Sequence, residues 1–589
     1  MKMTRRSFGS LVFASLPGAS LLRGQGVATR NLTARPRGKP SGIPFEAHFT
    51  DIAAEAGLKY PVICGDSTKP AINIIETVGS GVAFFDFDND GWLDIFMLTG
   101  TRLEGAPPNT SNRLYRNNRD GTFTDVTKRA GLEHVGWASA VTVADYNNDG
   151  FEDLFITCFG HNLLYRNNGD GTFTDVTRAA GLYRDGTFWG TACTFIDYDR
   201  DGNLDLFVGH YAHLDLAKTP PPGADPVSCV YAGVPVFCGP HYFQPVAAML
   251  FHNNGDGTFT DVTASSGIGA SAGTRAMTAV AADFDNDGWP DIYVACDGAP
   301  SLLFRNNRDG TFVEEGLGRG VALSDDGFAQ AGMGLGIGDL NLDGSLDIFK
   351  THYSGDTNIV YLNDGKGFFD DHTSMAGLAV ETRYIGWGAG IADLDNDGLP
   401  DMYAVTGGTY PGLAKQLPQV PWKTPRFIFR NLGNGRFEEL IEEAGPGFAA
   451  LHCSRGSAMG DFDNDGDMDI VVVNLNEPPS LLRNDLKTGS GSANWLKVKL
   501  VGTQSNRSAI GSRVTLHYGD RVHAQEVLAQ SSFYSSDDRR LHFGLGKERE
   551  TDLTVRWTNG LVEKISSVEA NRMITIREGS GIVKSEKWK

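Results

Sequence analysis

Short apolar runs alternate with polar, glycine-rich turns along almost the whole chain. A run of small and apolar residues, such as "GVAFFD", "GTACTFID" or "GMGLGIGD", leads into an acidic stretch. A second run follows, read in turn as "DIFML", "DLFIT", "DLFVG", "DIYVA", "DIFKT", "DMYAV" and "DIVVV". Then comes a recurring phrase: "NRLYRNNRDGTFTDVT", "NLLYRNNGDGTFTDVT", "MLFHNNGDGTFTDVT", "SLLFRNNRDGTFVEE", and more loosely "NIVYLNDGKGFFDDHT" and "FIFRNLGNGRFEEL". Two apolar-aromatic runs joined by Asp-Gly or Asn-Gly predict a β-hairpin, because those residues accept the positive φ of a tight turn. Each unit therefore predicts four strands. The small residues of the first run suit the crowded inner strand of a radial assembly.

Seven units in one chain read as repeat architecture. Four-stranded units repeated seven times predict an all-β fold, a seven-bladed β-propeller over residues 45–485. The two ends support closure. The last unit stops after its third strand, at "SLLRND" in residues 480–485. The missing strand stands at the other end, where "FTDIAAEAGL" in residues 49–58 mirrors "FTDVTKRAGL". Borrowing that strand would leave no open sheet edge. An open solenoid, the alternative fold, would not need the permutation. Residues 210–248 read as an insertion in one blade. After a Gly/Ser-rich joint at 486–493, alternating apolar and polar residues predict a compact β domain at 494–578, followed by a tail at 579–589.

The acidic stretches follow D-x-[DN]-x-[DN]-G-x-x-D. Carboxylates this close repel one another, and the spacing is what a hard cation needs. Calcium takes six to eight oxygens in flexible geometry, and a Gly at position 6 permits the sharp turn that gathers them. Side chains at positions 1, 3, 5 and 9 and the backbone carbonyl of position 7 are the expected ligands. In the first loop these are Asp86, Asp88, Asp90, Asp94 and the carbonyl of Trp92. The second has Asp145, Asn147, Asp149, Asp153 and Phe151, and the third Asp197, Asp199, Asp201, Asp205 and Asn203. The fourth has Asp283, Asp285, Asp287, Asp291 and Trp289, and the fifth Asp339, Asn341, Asp343, Asp347 and Ser345. Asp393, Asp395, Asp397, Asp401 and Leu399 form the sixth; Asp461, Asp463, Asp465, Asp469 and Asp467 form the seventh. Asn147 and Asn341 keep an oxygen but drop a charge, so those two loops should bind more weakly. About five to seven calcium ions are expected by this reading. An EF-hand would close with Glu at position 12 between helices; here Asp closes at 9 and a strand follows.

These motifs resemble the FG-GAP/VCBS repeats of integrin-α-like propellers. That resemblance implies calcium held on one face of the disc, mainly as a structural element. The phrases "NWLKVKLVG", "NRSAIGSRVTLHYGD", "LHFGLGK" and "LTVRWTNG" are similar to the ASPIC/UnbV domain. Asn506, Arg507, Ile510, Gly511, His542, Phe543, Gly544, Leu545, Gly546, Trp557 and Gly560 carry the match. The combination is that of the cartilage acidic protein family, and the chain is identified as a bacterial member. It departs from the animal form in lacking a Cys-rich EGF-like module, so an adhesive role tied to that module does not transfer.

Composition narrows the partners. The net charge of −20 argues against nucleic acid. "MKMTRRSFGSLVFASLPGASLLRGQGVA" resembles a twin-arginine export signal over residues 1–28, with a linker at 29–44, and predicts a periplasmic or secreted protein. No apolar segment is long enough to cross a membrane. Cys229 and Cys238 bracket a short loop within the insertion, and in an oxidising compartment they predict a disulfide. No catalytic constellation is read in the sequence, and neither a zinc-protease helix nor a phosphate loop is present. Trp137, Trp189, Arg275, Trp387 and Arg455 precede the inner strands, where they could line a channel mouth and bind a sugar or anion, or pack between blades. The reading is an exported calcium-binding module for a surface protein or polysaccharide; a calcium-dependent polysaccharide lyase or a lectin is the alternative. The sequence leaves the oligomeric state open.

Overall fold

A computed structural model of the protein describes residues 29–587, apart from 31, 34–36, 67, 187, 225–228, 271–273, 379–381 and 488–492. The twin-arginine-type segment at 1–28 lies outside the described residues. Among the described residues, seven four-stranded antiparallel sheets run from Phe49 to Asn484. The first consists of Val82–Phe85, Asp94–Met97, Arg113–Asn117 and Phe123–Asp125. The next five repeat this order and begin with inner strands Ala138–Ala144, Phe188–Ile196, Ala276–Ala282, Leu335–Gly338 and Gly386–Ala392. The seventh begins with Ser454–Gly460 and is completed from the far end of the chain. Its fourth strand, Phe49–Asp51, pairs antiparallel with Ser480–Asn484, placing Phe49 opposite Asn484. The seven inner strands touch in cyclic order, and the first lies against the last. The arrangement is propeller-like.

Large apolar side chains wedge between neighbouring sheets. Phe85, Phe87, Phe96, Val141, Val143 and Leu154 fill the first such wedge and are all buried. Removing this surface from water is what holds sheet to sheet. A second device was not read from the sequence. An Asn at the end of each third strand (Asn117, Asn167, Asn253, Asn306, Asn363, Asn431 and Asn484) donates its Nδ2 to a carbonyl of the preceding sheet's acidic loop. Asn117 reaches Phe462 O at 2.9 Å, which carries the series across the seam where the ring closes.

The second domain has two four-stranded sheets. In one, Asn494–Val501 lies between Leu541–Gly546 and Arg572–Arg577, and Gly581–Glu586 forms the edge. In the other, Arg513–Tyr518 lies between Arg521–Glu526 and Glu550–Arg556, with Val562–Glu569 outside. The expected tail at 579–589 is corrected here: "GIVKSE" pairs with Arg572–Arg577, because the Gly579 and Gly581 positive-φ turn folds it back as a hairpin.

The segment between Glu526 and Leu541, "VLAQSSFYSSDDRR", enters the ring. Leu335 N and Ser532 O lie 2.9 Å apart, and Ser532 N and Leu335 O 2.7 Å. Val141 N donates to Tyr534 O at 3.0 Å, Phe84 N to Ser536 O at 3.1 Å, and Cys193 N to Gln530 Oε1 at 3.3 Å. Ala389 N donates to Ser532 Oγ and Met459 N to Asp537 Oδ1. Tyr534 Oη meets Met277 Sδ at 3.3 Å. The segment therefore reaches the inner strand of all seven sheets. It satisfies backbone N–H groups that the inner sheet edges leave over, which would otherwise be costly to bury. Phe533 and Tyr534 are fully buried. Gly81 is required for this fit: a Cβ there would overlap the Tyr534 carbonyl.

Candidate metal-binding loops

The seven acidic loops share one hydrogen-bond scheme. The position-1 carboxylate caps the turn in six of them. Asp86 Oδ1 accepts from Asp90 N at 2.9 Å and Oδ2 from Gly91 N at 3.0 Å; Asp145, Asp283, Asp339, Asp393 and Asp461 do the same. In all seven, the position-5 carboxylate accepts from the N–H of position 7. The position-6 glycines have φ between 86 and 99°. Position 4 is also left-handed in every loop, with φ between 56 and 61°. Asn fills it in five loops, a residue that accepts this conformation readily.

The position-9 aspartates are buried. Asp94 Oδ1 accepts from Asn117 N at 2.8 Å and Oδ2 from Phe87 N at 3.2 Å. The closing carboxylate thus ties the loop to the third strand as well as to its own start. A carboxylate has further lone pairs, so it can still face a cation.

Position 3 sets most of the loops apart, and position 1 the third. Asp88 Oδ1, Asp285 Oδ1, Asp395 Oδ1 and Asp463 Oδ1 are buried without a hydrogen-bond partner, as are both carboxylate oxygens of Asp197 in the third loop. A buried, unpartnered carboxylate oxygen is expensive. The two Asn loops are self-contained instead: Asn147 Nδ2 donates to Asp149 Oδ2 at 2.9 Å, and Asn341 Nδ2 to Asp343 Oδ2 at 2.8 Å. One oxygen each from Asp86, Asp88 and Asp94 lie within 4.8 Å of one another, as do those of Asp197, Asp199 and Asp201, of Asp283, Asp285 and Asp287, and of Asp393, Asp395 and Asp401. These clusters fit a metal ion. The third loop holds an extra group: His252 Nδ1 lies 3.4 Å from Asp199 Oδ2 and 3.1 Å from Asp205 Oδ1. The sequence signal was its place in "FHNN", where most other repeats carry Arg.

Without a cation these loops work against their own charge. Burial, with neighbouring carboxylates second, pushes Asp395 and Asp463 up to about 7. Burial pushes Asp205 up to about 8 and holds Asp94 and Asp469 well above the usual carboxylate range. A raised folded-state pKa stabilises the fold at low pH and loses that contribution as pH rises through it. In chelator, the melting temperature should therefore fall as pH goes from 5 to 8. Calcium should flatten that trend; a chelated protein whose melting is indifferent to pH would contradict it.

The Asp90 and Trp92 positions separate side chain from backbone. Asp90 Oδ1 holds the Trp92 N–H, and Oδ2 pairs with Arg119 at 2.8 Å. Asp90→Ala should weaken calcium binding at that loop at least tenfold, whereas Trp92→Ala should leave it within twofold. Calorimetric titration checks both. Two position-7 side chains are themselves engaged: Asp467 Oδ2 accepts from Leu486 N at 3.2 Å, and Asn203 Nδ2 donates to Asp201 Oδ2 at 3.0 Å.

The second domain covers this face of the ring. Lys497 Nζ lies 2.8 Å from Asp461 Oδ2, and both side chains are fully buried. Arg556 pairs with Asp283, Ala524 N donates to Asp339 Oδ2, and Asp145 N donates to Ser508 Oγ. His542 contacts Asn396 Oδ1 at 2.8 Å, a structural role for that histidine. At Gly544 any side chain would overlap Asp393, so the "LHFGLG" strand is shaped to the sixth loop.

The five channel-mouth residues lie at the other end, and the structure closes that end with protein. Trp189 donates to Ser139 Oγ at 3.0 Å and Trp387 to Gly407 O at 2.9 Å. Arg455 stacks over Trp387 at 3.9 Å and donates to Thr77 O and Gly408 O. Arg275 donates to Pro240 O at 2.6 Å, anchoring the insertion. These four are buried, and Trp137 is half-buried. Of the two readings given for these residues, a ligand-binding mouth or packing between blades, the burial of these four agrees with packing. The insertion supplies the cap: Cys229 and Cys238 form a disulfide with Cα atoms 4.5 Å apart, and Phe237 packs on Tyr410. The same apolar cluster continues to Phe533 and Tyr534, so plug and cap meet along the axis.

A ring of acidic-loop β units closed by a second β domain defines the class, and comparison places it. The chain belongs to the FG-GAP-like repeat family, whose profile matches residues 86–156, 145–208, 242–294, 283–349, 339–404 and 425–472. The ASPIC and UnbV profile matches residues 502–583. Its relatives include cartilage acidic protein 1 of Mus musculus, 25% identical over 528 residues, 84% of this chain and 73% of that protein. The Homo sapiens protein of the same name is 25% identical over 526 residues, 84% and 71% of the two chains. Among solved structures, an Agrocybe aegerita lectin recognising non-reducing terminal N-acetylglucosamine aligns with a TM-score of 0.37 and 19% identity, over 67% of this chain and 88% of that one. Bacillus licheniformis rhamnogalacturonan lyase aligns with a TM-score of 0.36 and 12% identity, over 74% and 75%.

Proposed function

We propose that the protein is an exported, calcium-loaded binding module for a surface protein or a glycan. The observation that carries the calcium part is the set of buried carboxylate oxygens left without partners in the five loops that have Asp at position 3. A hard cation of charge +2 would supply what those oxygens lack. The Asn loops need it less and would fill last. Calcium here acts as structure: it lets acidic turns stay closed and lets the second domain sit on them. The plug and the cap then argue for recognition on the outer surface rather than along the ring axis. Among the described residues, no helix is long and apolar enough to cross a membrane. The test is a binding screen of the full chain against glycans and surface proteins, with calcium and with chelator. Ligands retained only with calcium would support the reading. A calcium-loaded chain that retains nothing in either class would sink it.

A further inference from the structure

We propose that the seam between the ring and the second domain is an acidic-saccharide site. The assignment deepens the reading of the protein as a binding module and rests on it. A cavity of about 310 Å3 opens there, between the first two loops of the ring and the strand Asn494–Val501. That volume is at the lower end of known ligand pockets and suits one sugar ring.

The partners of its charged groups are unequal. The carboxylates are committed: Asp86 and Asp145 each accept two backbone N–H groups, Asp537 accepts from Met459 N at 2.8 Å, Glu152 pairs with Arg539, and Asp538 pairs with Arg540 at 2.7 Å. The cations are not. Lys499, Arg507 and Arg577 line the cavity and form no direct ion pair among the described residues; the Asp86 carboxylate is the largest charge acting on Lys499. Arg539 uses one nitrogen on Glu152 and leaves Nη1 buried without a partner. Lys499 and Arg539 are half-buried and Arg507 and Arg577 exposed, so free positive charge runs from the buried wall to the solvent edge.

In a chain of net charge −20, such a gathering of unpaired cations is the exception. A desolvated guanidinium without an acceptor is costly, and an oxyanion removes that cost with charge-assisted bonds. The cavity continues into a hollow that shares Asp86, Lys499, Val501 and Met573; half-buried Trp92 lines the hollow together with carboxylates of the first and seventh acidic loops, Asp90, Asp463 and Asp465, of which Asp90 pairs with Arg119, and with Glu586, which pairs with Lys584. Trp92 and Lys499 line the same hollow, so a ring carrying a carboxylate or a sulfate would meet an indole and a cation there. A small free anion would use the cations alone; a saccharide would use both.

Titration calorimetry on the calcium-loaded full chain tests this with tri-galacturonate, maltotriose as the neutral control, and sulfate as the free-anion control. Tri-galacturonate should bind, maltotriose should not, and sulfate should bind at least tenfold more weakly. Lys499→Met and Arg577→Gln should each weaken tri-galacturonate at least tenfold, and Trp92→Ala should weaken it while calcium content stays unchanged. Melting temperatures within a few degrees of the parent show that the variants fold; Arg577 is exposed, so its variant serves if Lys499→Met does not. Sulfate binding as tightly as the saccharide would overturn the saccharide assignment. Full affinity in the variants would place the ligand elsewhere and leave the binding-module reading intact. A neutral glycan bound in preference would do the same, and no binding of any of the probes would overturn the seam site.

Discussion

Removing calcium should lower the melting temperature by roughly 10 °C or more, and returning it should restore the original value. A site held at a hundred times its dissociation constant contributes about 2.7 kcal/mol by mass action. Five such sites would rival the ~5–15 kcal/mol net stability of a typical domain. The loops also sit between ring and second domain, so their loosening reaches both. Asp461 is bonded at once to its own turn and to Lys497, and Asp339 to its turn and to Ala524. Scanning calorimetry with and without chelator reads the effect. Unchanged melting would mean the carboxylates are held by something other than a metal.

The plug is the second large effect. Phe533 is fully buried, meets Trp387 edge-on at 5.1 Å and stacks on Tyr534 at 3.9 Å. Phe533→Ala should cost about 3–5 kcal/mol through lost contacts and the cavity left behind. Gly81→Val should be at least as severe, because its side chain would take the place of the Tyr534 carbonyl in the first inner strand. Gly38→Ala, with open space around it, is the matched control and should melt with the parent. If Phe533→Ala and Gly81→Val also melt with the parent, the second domain is not seated in the ring.

Much of this was legible in the sequence. The strands, the hairpins and the borrowed strand at Phe49–Asp51 follow from alternation and from Asp-Gly turns, which are local signals. The acidic loops could be located because their motif has fixed spacing, and the structure gathers carboxylates of several of them within 4.8 Å of one another. The plug could not. "VLAQSSFYSSDDRR" has neither a period of two nor of 3.6, and its burial is decided by partners up to several hundred residues away, such as Val82 and Val141. For the same reason the sequence could not choose between a channel mouth and packing for Trp387 and Arg455: Phe533 meets Trp387, and Arg455 stacks over it, only in the folded ring. The Asn117 series was visible as the first Asn of "RNN". Nothing local to the phrase marks its bond to the neighbouring sheet, whose acceptor Phe462 O lies far along the chain.

The central claim is that loops with Asp at position 3 hold calcium and loops with Asn there hold it weakly. The direct measurement is elemental analysis of the full chain after exhaustive dialysis, followed by calcium titration. The account predicts about five ions retained per chain, with the Asn147 and Asn341 loops filling only at higher calcium, up to about seven. A dialysed chain with no calcium, or one in which Asn147→Asp and Asn341→Asp retain no more ions than the parent, would contradict it.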